Sequence, residues 1–496
     1  MEEQYDYERE AVKQCVLGKL RRHFGRTPKE ATPLQLYKAV SMAVRDEIMD
    51  YWQSAMRRAE ENKSKVLYYL SLEFLMGKFL AGNLIALEKY NLYKSALADI
   101  GISLEQIEEV EQDAGLGNGE TPIFPIHIFK VKEGINYNEG DPNYDLFKLA
   151  CRVSAKRLFP NFSFIDAPYN LQYYKPGNPD TEIAYMGCRT RVIGNAYDPT
   201  REIVTGRGNL SFTSINLPRL AIESKGNIDL FYEKLDAMMD LVVDQLLSRF
   251  KIQSQKRVKN FPFLMGQGIW IDSDKIGPDD SVAEILKHGT LSIGFIGLAE
   301  TLKALTGKHH GESEESRKLG LEIITHMRKF CDDKSKETHL NFTLLATPAE
   351  GLSGRFVRID KKKYGIIPGV TDRDYYTNSF HVPVYYPISA FEKLDIEAPY
   401  HALTNAGHIS YVELDGDTCK NPQAFEAVIR HMKEVGIGYG SVNHPVDRDP
   451  VCGFTGVIDD VCPRCGRREG EPVTVERLNE LRKKFPGVPV PCDCNH

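Results

Sequence analysis

The clearest chemical signal is a crowd of cysteines toward the C-terminal end. Of ten cysteines in the chain, Cys452, Cys462, Cys465, Cys492 and Cys494 fall there, while the others are scattered singly. Cys462-Pro-Arg-Cys465-Gly466 reads as a two-cysteine knuckle, its glycine letting backbone N–H groups approach sulfur. Asp449-x2-Cys452 repeats the interval of Cys462-x2-Cys465, with a carboxylate where a four-cysteine site has its first sulfur. In a reducing compartment this spacing points to metal rather than disulfides, and tetrahedral zinc accepts it. Cys452, Cys462 and Cys465 supply three ligands. Asp449, Cys492, Cys494 and His496 are the alternatives for the fourth.

Cys188 poses a different problem. It stands in MGCRTRV, after a predicted strand and next to a glycine. Residue type alone makes such a cysteine a small buried hydrophobe, and the same holds for Cys15, Cys151, Cys331 and Cys419. Asn209, behind Gly206 and Gly208, reads by itself as a turn residue.

The elements that must position these groups belong to a soluble α/β protein. The chain has 496 residues, 42% hydrophobic and 27% charged, which excludes global disorder and allows several domains. The net charge of −6 gives no reason to expect direct nucleic-acid or membrane-surface binding. The richest apolar run, 291–302, is too short for a membrane span, and the acidic N-terminus has no signal-peptide layout, so the expected location is cytoplasmic.

The first ~115 residues read as helical. Thr32-Pro33 predicts a helix start, with Leu36, Val40, Val44, Ile48, Tyr51, Ala55 and Met56 on one face. A second start is predicted at Ser103, capped with Gln106 and stopping at Gly115. Strands are predicted over 123–131, 183–194, 209–217, 340–347 and 408–414, and helices over 228–250, 281–289, 423–436 and 473–485. The charged segment 307–318 reads as an exposed loop leading into a helix.

Two stretches of text resemble known families. KVLYYLSLEFLMGKFLAGNL (65–84) and EEVEQDAGLGNG (108–119) are similar to the N-terminal region of glycogen phosphorylases. The glycine run stops at Glu120, which also breaks the dinucleotide fingerprint, so this part implies a helical segment over 1–119 without phosphate-binding chemistry. From about 116 to 467 the chain resembles the C-terminal half of the anaerobic, class III ribonucleoside-triphosphate reductases. The matching text includes GDPNYDLFKLACRVSAKRLFPNF (140–162), YMGCRTRV (185–192), GRGNLSFTSINLPRLA (206–221), TPAEGLSGRF (347–356), GVTDRDYYTNSFHVPV (369–384) and SVNHPVDRDPVCGFTG (441–456).

That resemblance implies part of a ten-stranded α/β barrel over 120–445, with a zinc-binding C-terminal segment over 446–496. It implies an oxidoreductase that makes DNA precursors by reducing ribonucleotides through radical chemistry. Cys188 matches the cysteine that becomes a thiyl radical and takes the 3′ hydrogen of the ribose. Asn209 matches the asparagine that hydrogen-bonds the ribose hydroxyls. Ser353, at a helix start, is placed near the substrate triphosphate, and Asn378, Ser379 and His381 on the pocket wall. A ribonucleoside triphosphate, a radical-SAM activating enzyme and a homodimer are the implied partners. The implied glycyl radical needs Arg-Val/Ile-x-Gly-Tyr soon after the knuckle, and the text from Gly466 to His496 lacks it. The alternative reading is a catalytically silent, zinc-stabilised nucleotide-binding scaffold.

Overall fold

The structure is a computed structural model and describes residues 2–62, 79–108, 110, 126–414, 418–443, 447–449, 452, 455–456, 461–468 and 474–484. The chain divides into two compact units. One gathers 1–127, 205–207 and 249–288, and the other 128–204, 208–248 and 289–496.

The first unit opens with helices α1 (Glu2–Lys19), α2 (Pro33–Glu61), α3 (Phe79–Ala86) and α4 (Tyr90–Asp99). α2 starts where the sequence predicts. Gln35 N–H donates to Thr32 Oγ1 at 3.3 Å, Thr32 N–H donates to Gln35 Oε1 at 2.9 Å, and Pro33 needs no partner for its nitrogen. Val16, Leu20, Val40, Val44, Tyr93, Leu97 and Leu104 form its core. The apolar stripe of α2 is buried only over its first half. Packing ends near Ile48, and Tyr51 and Ala55 stand exposed because that core reaches no further along the helix. Ser103 Oγ accepts from Gln106 N–H at 3.3 Å and starts a short helix over 104–108. Its predicted stop at Gly115 lies outside the described residues. Arg207 Nε donates to His288 O at 2.8 Å, and Ile271 N–H donates to Gly206 O at 2.7 Å, tying the two later segments of this unit together.

The second unit is built on two sheets. Strands β3 (Asn209–Asn216), β4 (Thr290–Ile296) and β5 (Asn341–Ala346) run parallel in that order. β1 (Ile128–Val131), β2 (Asn161–Phe164), β6 (Ser410–Glu413) and β7 (Tyr439–Asn443) form a mixed sheet in the order β1-β2-β7-β6. Its core gathers Phe147, Phe162, Phe164, Val412, Ile429 and Val442. Helical crossovers join the parallel strands, as α/β topology requires. Those used below are α8 (Leu298–Thr306), α9 (Glu314–Thr338), α10 (Glu350–Tyr364), α11 (Ala390–Leu403) and α12 (Pro422–Val435); the other long helices after β1 are α5 (Tyr144–Arg157), α6 (Leu217–Ser224), α7 (Ile228–Ser254) and α13 (Val475–Lys484), with short helical turns left unlabelled. Gly407 stitches the sheets together, pairing parallel with Leu345 of β5 just before β6 begins.

Three expectations need correction. Residues 183–194 form a hairpin rather than a strand, because Gly187 and Gly194 take positive φ (55° and 68°) and turn the chain. The segment 307–318 is not simply exposed. His309 and His310 are buried, with His310 Nε2 2.9 Å from Phe380 O and Gly311 N–H donating to His309 Nδ1 at 3.0 Å. The predicted helix over 281–289 shrinks to Ala283–Leu286. No helix among the described residues is long and apolar enough to cross a membrane.

Candidate active site and metal centre

Cys188 sits at the tip of a tight hairpin. Met186 N–H donates to Thr190 O at 2.6 Å and Thr190 N–H returns a bond to Met186 O at 3.1 Å, leaving Gly187, Cys188 and Arg189 as the loop. Thr190 pairs with Gly407, and Arg191 N–H donates to Ala406 O at 2.8 Å. Gly407 has φ 136°, and a Cβ there would lie 2.1 Å from the Arg189 carbonyl oxygen. Only glycine allows the hairpin to approach this closely. Cys188 is half-buried. The phenol of Tyr439 on β7 is pushed up chiefly by burial, with a smaller contribution from Cys188.

Asn209 begins β3, and its amide donates to Thr290 Oγ1 and Ser292 Oγ on β4. Ser292 Oγ is 2.9 Å from Thr343 Oγ1 on β5. Asn209 therefore heads a polar ladder across the parallel sheet, more than the isolated turn its flanking glycines suggest.

Ser353, Asn378 and His381 come together on the wall of one cavity of about 300 Å3, where Glu350, Lys393 and Tyr411 join them. Asn378 Oδ1 accepts from Ala349 N–H at 3.3 Å and so caps α10, while Ser353 Oγ donates back to Glu350 O at 2.9 Å. Ser379 is fully buried with φ 42° and lies outside the cavity lining. Cys188 and Asn209 are not among the residues lining that cavity.

Behind the cavity lies a buried polar network. Glu397 on α11 is fully buried and accepts from Ser410 Oγ at 2.7 Å and from Val382 N–H at 3.0 Å. Lys393 Nζ lies 2.9 Å and His381 Nδ1 3.1 Å from its oxygens. Burial alone would raise the Glu397 carboxyl, but Lys393, His381 and these hydrogen bonds hold it well below the usual range. The histidines respond the other way. Burial lowers His381, takes His401 down to about 3 and carries His408 far below its ordinary value. His401 Nε2 is 2.9 Å from Ser410 Oγ, continuing the chain of contacts.

The C-terminal cysteines converge as their spacing predicts. Ligand atoms of Asp449, Cys452, Cys462 and Cys465 all lie within 4.8 Å of one another, so the group could hold a metal ion. The sulfurs of Cys452 and Cys462 are 3.6 Å apart, and Cys452 N–H donates to Asp449 Oδ1 at 3.1 Å. The knuckle is closed by Cys462 N–H to Arg467 O and Gly466 N–H to Cys462 O, both at 2.8 Å. Three soft sulfurs and one carboxylate suit a tetrahedral zinc ion. The alternatives Cys492, Cys494 and His496 lie outside the described residues.

Cys151 and Cys331 are packing residues. Cys151 is buried and its thiol is pushed up to about 12 by burial; Cys331 is likewise buried and raised. Burial also raises half-buried Cys15, and the Cys419 side chain lies outside the described residues.

Residues 91–478 match the family profile described as anaerobic ribonucleoside-triphosphate reductase. The chain belongs to that family. The anaerobic ribonucleoside-triphosphate reductase of Escherichia coli is 36% identical over 373 residues, covering 73% of this chain and 51% of that protein. The chain thus spans about half the length of the curated relatives it matches. The anaerobic ribonucleotide reductase of Thermotoga maritima, crystallised with dATP and CTP, has a TM-score of 0.51 at 16% identity, over 79% of this chain and 60% of that one. It shows the shared fold, part of the reductase α/β barrel. At the other end, the glycogen phosphorylase of Haemophilus influenzae is 39% identical over 110 residues, or 22% of this chain. Sequence reasoning passed over Arg189 beside Cys188, Lys393 and Tyr411 on the cavity wall, and Glu397 behind it. Arg189 alone had a signal available, its place next to Cys188 in the reductase-like text.

Proposed function

We propose that this chain carries the C-terminal catalytic portion of an anaerobic ribonucleoside-triphosphate reductase, a cytoplasmic oxidoreductase acting on ribonucleoside triphosphates. The observation that carries this reading is the Cys188 hairpin, held against the sheet by backbone pairing at Gly407. A sulfur presented by backbone rather than by a mobile side chain suits hydrogen-atom abstraction, because the reacting atoms must be held in contact. Cys188, as a thiyl, takes the 3′ hydrogen of the ribose and later returns it. Asn209 offers donor and acceptor to the ribose hydroxyls without adding charge. Asn378 and His381 shape the pocket wall, with Ser353 toward the phosphates and Ser379 buried outside the lining. Asp449, Cys452, Cys462 and Cys465 hold zinc, which supplies folding energy to the C-terminal segment.

The stretch from Gly466 to His496 contains no glycyl-radical motif. The reading therefore expects no turnover by this chain alone and assigns the radical, and the barrel's other half, to further polypeptide. A radical-SAM activating enzyme and a second copy of the chain are the partners it implies. The test is anaerobic incubation with an activating enzyme, S-adenosylmethionine and reductant, read by EPR and by deoxynucleotide formation. No glycyl doublet and no product is the expected result. Product lost in Cys188→Ala would show a complete reductase instead, and product surviving that substitution would remove Cys188 from the chemistry.

A further inference from the structure

A second cavity, of about 580 Å3, opens at the start of β5 and shares no lining residue with the 300 Å3 cavity beside α10. Its size falls within the roughly 300–1,000 Å3 of small-molecule sites. None of its residues takes part in the chemistry assigned to Cys188.

Its wall carries one buried amide with an idle donor. Asn405 is 9% exposed, and its Oδ1 accepts from Leu344 N–H of β5 at 2.9 Å. That bond fixes which end of the amide is oxygen. The donor end, Nδ2, meets no acceptor among the described residues. Such a group is costly to bury unless a ligand or water takes its N–H. The neighbouring amides are occupied. Asn341 Oδ1 accepts from Ala196 N–H at 2.7 Å, and Asn195 Oδ1 accepts from Asp198 N–H at 3.2 Å.

Glu202 is the complementary group. Its carboxylate lines the same cavity and meets neither a cation nor an N–H donor among the described residues. The cations on the wall are already neutralised. Arg328 Nε donates to both Asp332 oxygens, at 2.9 and 3.0 Å, and Lys336 Nζ lies 3.2 Å from Asp333 Oδ1. α9 ends here, with Ser335 and Lys336 of its last turn on the wall, and the carbonyl end of a helix carries partial negative charge. An anion is therefore disfavoured and a ligand with N–H donors favoured.

Two aromatic rings complete the lining. Tyr173 is seated against Gly194, where a Cβ would come within 3.2 Å of the ring, and its hydroxyl has no partner among the described residues. Phe342, at the start of β5, is the other.

We propose that this cavity binds a guanine-type base: a planar ring whose adjacent N–H groups meet Glu202, whose carbonyl takes the Asn405 Nδ2 donor, and whose faces lie on Tyr173 and Phe342. N–H donors beside a carbonyl mark that edge among the bases, and aromatic side chains hold unstacked bases by their faces. The site is separate from the nucleotide reading of the Cys188 portion and does not rest on it.

Calorimetric titration of the full chain with guanosine, inosine and adenosine tests it, in wild type, Glu202→Gln and Tyr173→Leu, with and without saturating CTP. Guanosine should bind one per chain in the presence of CTP. Inosine, which lacks the exocyclic amine, should bind about tenfold more weakly. Glu202→Gln should bring guanosine down to the level of inosine. Tyr173→Leu should weaken guanosine and inosine by the same factor, and it carries the test if Glu202→Gln does not fold. Equal affinity for guanosine and adenosine, or guanosine binding unchanged by either substitution, overturns the site. Displacement of guanosine by CTP places the base in the other cavity and overturns it too. Glu202-dependent guanosine binding without any CTP binding supports the site and counts against the nucleotide reading. No guanosine binding sinks the proposal whatever CTP does.

Discussion

Two cysteine settings in this chain are held in opposite ways. At the C-terminal cluster, Cys452, Cys462, Cys465 and Asp449 converge through short local turns, and their side chains define the site. At Cys188 the backbone does the positioning, through a hairpin pinned to Gly407, a residue more than two hundred positions later in the chain. A site closed by local turns depends on its ligands. A site closed by long-range pairing depends on whatever lets the strands approach.

The largest test of that contrast is removal of metal. Purified protein should contain one zinc per chain, and Cys465→Ser should lose it, with loss of the C-terminal segment's share of thermal stability. Structural zinc contributes on the order of 10 kcal/mol to local folding, so a chelator should lower the melting temperature of that region. Metal analysis of Cys188→Ser should be unchanged. Zinc that survives in Cys465→Ser breaks the assignment.

Next comes the glycine that admits the hairpin. Gly407→Ala places a Cβ on the Arg189 carbonyl and should cost about 3 kcal/mol or more. Gly436 also has positive φ, 91°, but nothing lies within 4 Å of its Cβ position. Gly436→Ala should cost about 1 kcal/mol, the backbone strain alone. Urea unfolding of both variants measures the difference, and equal losses would show that close approach at Gly407 does not hold the hairpin.

Acid should weaken the barrel portion independently of the metal. Burial holds His310 down to about 4, against 6.5 in its ordinary state, with His309's charge adding to the effect. The unfolded chain therefore binds the extra proton first, so this stability is present above about pH 6.5 and is lost as pH falls toward 4. For His310 the loss is about 2 kcal/mol by pH 5. It should appear as a lower urea midpoint in chelator-treated protein, and His310→Gln should flatten that dependence. The smallest effect is expected at Cys188 itself. Cys188→Ala, half-buried at a loop tip, should change stability by less than about 1 kcal/mol, and a larger loss would make it a packing residue.

The cluster was legible because its ligands lie within a few turns of one another, so spacing is nearly geometry. Thr32-Pro33, Ser103 with Gln106, and the strands at 209–217 and 340–347 were legible for the same reason: cap chemistry and short strand-like runs are local. The segment 183–194 was not. Its apolar residues match a strand, and the two positive-φ glycines that turn it leave only a weak mark in the text. His309 and His310 were assigned to solvent because a charged segment surrounds them, while the groups that bury them come from distant segments. Glu397 and Lys393 carry no local sign at all. They matter because α11 sets them against His381 and Ser410, a juxtaposition that exists only after the sheets have formed.

The first unit is assembled from three separate stretches of the chain, 1–127, 205–207 and 249–288. On the ribosome these stretches arrive at different times. At about 5–20 residues per second, the last of them emerges roughly 10–30 s after the first. The core of α1, α2 and α4 draws on residues before 108 and can close during that wait. The segment 249–288 then adds to a helical layer already in place, so nascent chains stalled near residue 240 should protect the early helices from protease before Trp270 and its neighbours exist.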